Sequence, residues 1–543
     1  LLNYVWLTLL FLGIVSATYL DISDFSSNKY NNNKPLNAII TFNKSDVNES
    51  EKTVAHLKID SKKFSSFYQV EASDSILSEI SLSARDKEGK RQFIINLSEN
   101  SPAVWKEIAP LSGKDNDLAG KIILGKEISE NVYTAKLYFE EISFVWLKKV
   151  TNDAMKIAST AVELALGLIG IMALWLGVMK VAEDAGLIKI IANALKPITK
   201  RLFPEVPPDH PAIGSMVMNI SANMLGLGNA ATPFGLKAME ELDKLNPNKG
   251  TATNSMVTFL AINTAGMTLI PATAIAVRAA SGSADPTVII GTSIFGASCA
   301  VIVGLTAAKL FERFPIPKGQ FSEWLKQNRK FFYFIFSFLA IVALVTLSGA
   351  GQFIGSFFSD SFADVFKSGI QVISILAIPL LIFVFIGYGA LKKVKVYEQF
   401  VEGAKEGFNI AVRIIPYLVA MLVAIGIFRA GGAMDNWLIP LLRIITDPIG
   451  FPAEALPMAL MRPLSGSGSL GIMAETMAVH GPDSYIGILV STFFGSTETT
   501  FYVLAVYFGA VNIKNTRHAL PAGLLADVAG ILGALFIVKL LFG

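Results

Sequence analysis

Cysteine occurs once, at Cys299, and histidine four times, at His56, His210, His480 and His518, in 543 residues. One thiol excludes an internal disulfide, so redox chemistry does not reveal the compartment on either side. The histidines are scattered and no H-E-x-x-H occurs, so no metal site is predicted. G-x-S-x-G and Walker A motifs are also missing, which leaves a hydrolase or an ATP-driven pump without support, and no enzyme is predicted. Nothing resembles a nucleic-acid-binding module. Charge is scarce as well: 16% of residues are charged, against about a quarter in soluble proteins. With 52% hydrophobic residues, that balance predicts an integral membrane protein whose first partner is the lipid bilayer.

What the chain does have is long apolar runs. Residues 1–20 are long enough to cross a bilayer. A cleaved signal peptide ending near Val15-Ser16-Ala17 competes with that reading, but no basic region precedes the run and a counterpart recurs at 369–391, so a retained transmembrane helix is predicted. Residues 21–141 differ completely. Short runs (37–42, 67–70, 76–82, 91–97, 121–124, 133–139) alternate with polar clusters, which predicts a β-rich domain. Two amphipathic stretches, 142–157 and 397–410, read as interfacial helices ahead of spans at 158–180 and 410–430. Further spans are expected at 254–279, 287–310, 331–350, 369–391, 485–511 and 518–541.

Two glycine-rich interruptions sit inside apolar sequence, at 218–235 (MNISANMLGLGNAATPFG) and 461–472 (MRPLSGSGSLGI). Broken backbone at membrane depth persists only when it is buried in protein or lines a wet cavity. Interruptions at matching places in two halves point to a transporter's substrate site. The halves match locally, with INTAGMTLIP (262–271) opposite FGSTETTFYV (494–503). Basic residues arbitrate the topology. With a cytoplasmic N-terminus and re-entrant hairpins at both interruptions, Lys189, Lys196, Lys200, Arg201, Lys237, Lys244, Lys249, the basic stretch 309–330, Lys392, Lys393, Lys395, Lys405, Lys514 and Arg517 all fall inside. Four crossings plus the lone span 331–350 make five, so the second half is inverted. The expectation is an all-α polytopic membrane protein. It has two inverted repeats, each with a re-entrant hairpin, and an inserted β-rich extracytoplasmic domain. The divisions are 1–20, 21–141, 142–310, a linker with an extra helix at 311–368, and 369–543.

Residues 158–310 resemble spore maturation protein A through GLIGIMALWLGVMK (167–180), LFPEVPPDHPA (202–212), NMLGLGNAATPFGLKAMEEL (223–242) and FLAINT (259–264). Residues 369–543 resemble spore maturation protein B through VEGAKEGFNIAVRIIPYLVAMLVAIGIFRA (401–430), RPLSGSGSLGI (462–472) and FGSTETTFYVLAVYFGAV (494–511). The resemblance implies the nucleoside-recognition or gate superfamily, whose distant relatives include nucleoside transporters and the gate region of ferrous iron transporters. For spore formers it implies a role in spore-core dehydration. The inserted 21–141 departs from the pattern.

The candidate residues follow from the interruptions. Thr232-Pro233 reads as an N-cap and first residue of a helix whose positive end would favour an anion, with Asn219, Asn223 and Asn229 adding amides. Asn263 and Thr264 lie on the next span. In the second half Ser465, Ser467 and Ser469 alternate with glycine beside Arg462, a cation that needs a partner inside a membrane. Ser496 and Thr497 precede Glu498. Together with Glu475, Glu498 is the candidate ion-coupling acid, for H⁺ or Na⁺. No other cofactor is expected. The function predicted is ion-coupled secondary transport of a small polar, anionic or nucleoside-like metabolite across the bacterial inner membrane. The competing reading is a non-transporting scaffold for envelope or spore maturation that engages a protein partner through 21–141. A second copy of the chain is a further expected partner.

Overall fold

A computed structural model describes residues 2–42, 52–84, 91–112, 116–226, 228–312 and 379–543, with a few isolated positions between 323 and 376. The expected span 331–350, most of the basic stretch 309–330 and the first part of span 369–391 lie outside the described residues. The chain forms two compact units, one of Leu10–Asp153 with Ile427–Met434 and one of Leu1–Leu9, Ala154–Gly426 and Asp435–Gly543.

The smaller unit holds a closed antiparallel barrel of β1 (Leu36–Phe42), β2 (Thr53–Ile59), β3 (Ile76–Leu82), β4 (Arg91–Asn96), β5 (Asp117–Ser129) and β6 (Val132–Phe139), in that order with β6 returning to β1. Period-2 alternation sets its inside: Leu36, Ala38, Ile40 and Phe42 of β1 point inward with Leu57, Ile59, Ile80, Phe93, Ile95 and Leu137. Helices α2 (Ser61–Tyr68) and α3 (Ala103–Ile108) add Phe64 and Trp105 to that core. The strand expected at 67–70 is instead the end of α2. The Asp60 carboxylate caps that helix by accepting from the N–H groups of Lys62 and Lys63, and Phe64 and Tyr68 then share one helical face. The strand missed at 53–59 carries His56 and Lys58 on its outer face, which dilutes its apolar signal.

α1 (Leu2–Ser26) runs past the expected end at residue 20. Within the small unit its Asp21 carboxylate accepts from the N–H groups of Trp146 (2.9 Å) and Leu147 (3.0 Å), the first turn of α4 (Val145–Asp184). Orphan donors at a helix start and the dipole's positive end both favour that carboxylate.

α4 is one unbroken helix of 40 residues, about 60 Å long. The expected interfacial segment is therefore its first part: no Gly or Pro occurs between Val145 and Leu166 to end a turn. The stretch at 397–410 likewise begins a 35-residue helix, which continues through Gly403 and Gly407.

The larger unit is helical: α5 (Leu187–Leu202), α6 (Pro211–Met224), α7 (Gly228–Lys244), α8 (Asn254–Ala265), α9 (Ala272–Ala280), α10 (Ile289–Phe311), α11 (Pro379–Leu391), α12 (Val396–Ala430), α13 (Ile439–Thr446), α14 (Leu456–Met461), α15 (Gly466–His480), α16 (Tyr485–Ser496), α17 (Thr500–Ala510) and α18 (Ala519–Phe542). Among the described residues five helices are long and apolar enough to cross a membrane: α1, α4, α10, α12 and α18. The protein is a multi-pass membrane protein. α12 approaches α4 through glycine, since a Cβ at Gly403 would overlap the carbonyl of Leu176.

The spans expected at 254–279 and 485–511 are each broken at mid-length, into α8–α9 and α16–α17. The first breaks because Gly266 adopts φ +59° and Pro271 follows. The second breaks because Thr497 and Thr499 are extended. The two broken helices run antiparallel. At one end the loop before α8 meets the loop after α17, Lys514 and Asn515 each donating a backbone N–H to Gly250. In the middle the N–H of Glu498 donates to Thr264 O at 3.0 Å. At the other end Arg278 of α9 binds Asp483, in the loop before α16, at 2.8 Å.

Candidate functional site

The two breaks face one another and border a cavity of about 230 Å³. α4 supplies Met172, Lys180 and Glu183, α12 supplies Glu406, the end of α6 supplies Asn223 and Gly226, and the α8–α9 break supplies Thr268, Pro271 and Thr273. The second half adds Arg462, Phe494, Thr497 and Glu498. Such a volume lies below the roughly 300–1,000 Å³ of pockets for drug-sized ligands, so the space fits a small metabolite.

Of the charged residues that line it (Lys180, Glu183, Glu406, Arg462 and Glu498), Arg462 is the buried one. It follows α14 directly, is 3% exposed, donates to the carbonyl of Thr497 and lies 4.3 Å from the centroid of Phe494. Its counter-charge is Glu498, at 3.7 Å. That distance is an ion pair without a hydrogen bond, and the Glu498 side chain keeps 49% of its surface exposed. Arg462 Nε has no partner among the described residues. A buried guanidinium held by one carbonyl, one ring face and a loose carboxylate retains capacity for an anion or a carbonyl oxygen.

The asparagines do not line the cavity as a set; they form a relay behind it. Asn223 lines it and donates Nδ2 to Asn263 Oδ1 at 2.9 Å. Tyr507 Oη donates to the same oxygen at 3.4 Å and accepts from Asn219 Nδ2 at 3.2 Å. Asn219 also donates to the carbonyl of Ala231, 2.8 Å away. The relay joins α6 to α8 and α17. The side chain of Asn229 lies outside the described residues.

Thr232 does not cap a helix. α7 begins at Gly228, and Pro233 is its sixth residue. Only the first four N–H groups of a helix are free, so this proline forgoes one bond to the carbonyl of residue 229, which the packed helix tolerates. The anion site expected at that helix start is therefore not built around Thr232 and Pro233.

Of the three serines of the second interruption, Ser465 and Ser469 serve backbone. Ser465 caps α15 by accepting from Gly468 N at 3.0 Å, Ser467 sits 3.4 Å from the Ser465 hydroxyl, and Ser469 donates to Ser465 O at 2.8 Å. Thr264 donates to Ala261 O and Ser496 to Thr492 O, both within their own helices. Glu475 is buried on α15 and does not line the cavity. Sequence reasoning thus placed Asn223, Arg462, Thr497 and Glu498 at the cavity. It missed Phe494, Thr268 and Tyr507, whose apolar or aromatic neighbourhood masks them. It also missed Arg278 and Asp527, which were visible as lone charges in apolar runs.

A family model described as nucleoside recognition (Gate) matches residues 165–280 and 411–514. Spore maturation protein B of Bacillus subtilis (strain 168) is 53% identical over 174 residues, 32% of this chain and 97% of that protein. Spore maturation protein A of the same organism is 50% identical over 148 residues, 27% of this chain and 76% of that protein, and matches a different part. No solved structure matches.

Proposed function

For a chain that belongs to the nucleoside-recognition gate family and joins a spore maturation A-like part to a B-like part in one polypeptide, we propose secondary transport of a small polar metabolite, anionic or nucleoside-like, across the bacterial inner membrane. The observation that carries this reading is the Arg462 cavity between the two helix breaks, where a buried cation faces a loosely held Glu498. In this reading residues 142–310 and 369–543 are inverted repeats and 311–368 bears the extra helix. The helix pairs α6–α7 and α14–α15 are re-entrant hairpins. The antiparallel run of the two broken helices supports the inversion, because repeats in parallel orientation would bring like ends of α8–α9 and α16–α17 together. The substrate displaces Glu498 from Arg462, with Asn223, Thr268 and Thr497 orienting its polar groups. Coupling to H⁺ or Na⁺ passes through the carboxylates Glu498 and Glu475. Residues 21–141 face the extracytoplasmic side.

The barrel supports a second reading. It has its own core yet exposes Val54, Leu77, Ile94 and Ile123 outward, which suits a scaffold that binds an envelope protein.

The test is thermal stabilisation of the purified full chain by nucleosides, nucleobases, aromatic dicarboxylates and sugar phosphates, with and without Na⁺. A compound at 100 times its Kd should add about 2.7 kcal/mol; Arg462→Ala should abolish or weaken that shift, and Glu498→Gln, which removes the competing charge, should enlarge it for an anionic compound. A hit that neither substitution changes would remove the cavity as the site. No shift from any compound would favour the scaffold.

A further inference from the structure

α18 contains one acidic residue among 24, Asp527, and it is 1% exposed. Its Oδ2 accepts a 2.6 Å hydrogen bond from the hydroxyl of Thr500, the first residue of α17. Its Oδ1 has no partner among the described residues. The same helix face holds Gly523 and Gly530, one turn to either side. A Cβ at Gly523 would come within 2.8 Å of Thr500 Cγ2 and 3.4 Å of Thr264 Oγ1, and one at Gly530 would overlap Thr497 Cγ2. α18 therefore lies directly against the break in α16–α17, with Asp527 between the two contacts. The Thr497 hydroxyl beside it is likewise buried without a partner among the described residues.

The surroundings support both forms of this carboxyl. Burial in a membrane-spanning helix favours the neutral acid. The Thr500 hydroxyl and the positive end of the 11-residue α17 favour the anion. Arg462 is joined to this place by Thr497, whose carbonyl accepts from the guanidinium and whose methyl meets Gly530, and Glu498 follows Thr497 in the chain. α8 brings uncharged Thr264 against Gly523, and α10 brings the Cys299 thiol against Gly533. A metal ion requires several converging oxygens, whereas the close approach at Gly523 and Gly530 leaves room for little more than a proton.

We propose that Asp527 is a proton-binding site whose occupancy is coupled to the cavity through Arg462. When Asp527 is neutral, the guanidinium is balanced by Glu498 alone and binds an anionic substrate more strongly. When Asp527 is ionised, it competes for the same positive charge. Linkage is reciprocal, so substrate binding also strengthens proton binding. This coupling rests on the transport reading, but the proton site does not.

The experiment is an infrared titration of the full-length protein in lipid, from about pH 4 to about pH 10, following the C=O stretch of protonated carboxyls. One titrating band should vanish in Asp527→Asn, persist in Glu498→Gln, and move to higher frequency in Thr500→Val, which removes the hydrogen bond while leaving the acid. Identical difference spectra for wild type and Asp527→Asn would overturn the proposal. If that variant does not fold, an unmoved band in Thr500→Val would do so. For an aromatic dicarboxylate or sugar phosphate that stabilises the protein, affinity should fall about tenfold across the titration in wild type and stay level in Asp527→Asn. Binding without a titrating band refutes the proton site and spares the transport reading. A titrating band with no ligand from the panel does the reverse.

Discussion

Tyr68 shows how one side chain can set a pH limit outside the membrane. It packs against the barrel core and accepts a 3.1 Å hydrogen bond from Trp105 Nε1. Burial pushes its phenol well above the ordinary value of 10, against a smaller opposing effect of the Trp105 hydrogen bond. The folded form therefore holds its proton where the unfolded form releases it. This contribution to stability is complete below pH 10 and is lost as the pH rises from there, at no more than about 1.4 kcal/mol per pH unit. Urea titrations read by pulse proteolysis of the barrel should show that loss in wild type. Tyr68→Phe should start about 1–2 kcal/mol lower at pH 8, because Trp105 Nε1 is left unpaired, and should decline less steeply above pH 10. Equal slopes would show that Tyr68 does not govern the alkaline limit.

The broken helices depend on close approach between their breaks. Gly266 sits at φ +59°, and a Cβ there would lie 2.8 Å from the backbone N of Glu498, the atom that donates to Thr264 O. Gly266→Ala should cost about 2–4 kcal/mol, combining a left-handed residue with an overpacked contact that backbone cannot relieve. Gly186→Ala is the control: its φ is +84° with nothing within 4 Å, so only the conformational part, about 1–2 kcal/mol, remains. Equal melting temperatures for the two variants would mean that the breaks do not press together. The sequence announced the helix pairs at 218–235 and 461–472 through their glycines, and it singled out 262–271 and 494–503 as matching segments. It did not show that those matching segments are themselves breaks. Thr497 and Thr499 carry no Gly or Pro signal, and their extended backbone is held by the Arg462 and Thr264 contacts across the fold. Arg462 and Glu498 were legible because a lone charge in an apolar run must find a partner. The asparagine relay was not, since its order depends on which helices meet.

At the scale of the whole molecule, inversion makes a statement about sides that no single contact can. Arg278 is fully buried and binds Asp483, Pro482 O and Ser491, fixing the loop after α9 to the loop before α16. Gly250 is fixed in the same way to Lys514 and Asn515. If α8–α9 and α16–α17 each cross the bilayer, these two junctions lie on opposite faces, and positive-inside counting puts the lysine-bearing one in the cytoplasm. In a Cys299→Ser background, Ala284→Cys and the barrel variant Glu79→Cys should react with a membrane-impermeant thiol reagent in intact cells. Lys249→Cys and Lys514→Cys should react only after permeabilisation. Labelling of Ala284→Cys and Lys249→Cys from the same side would mean that the first broken helix does not cross, which removes the inverted repeat. Opposite sides with the assignment reversed would keep the repeat and turn the protein over, placing the barrel in the cytoplasm. Lys249→Cys and Lys514→Cys on different sides would contradict the Gly250 junction itself.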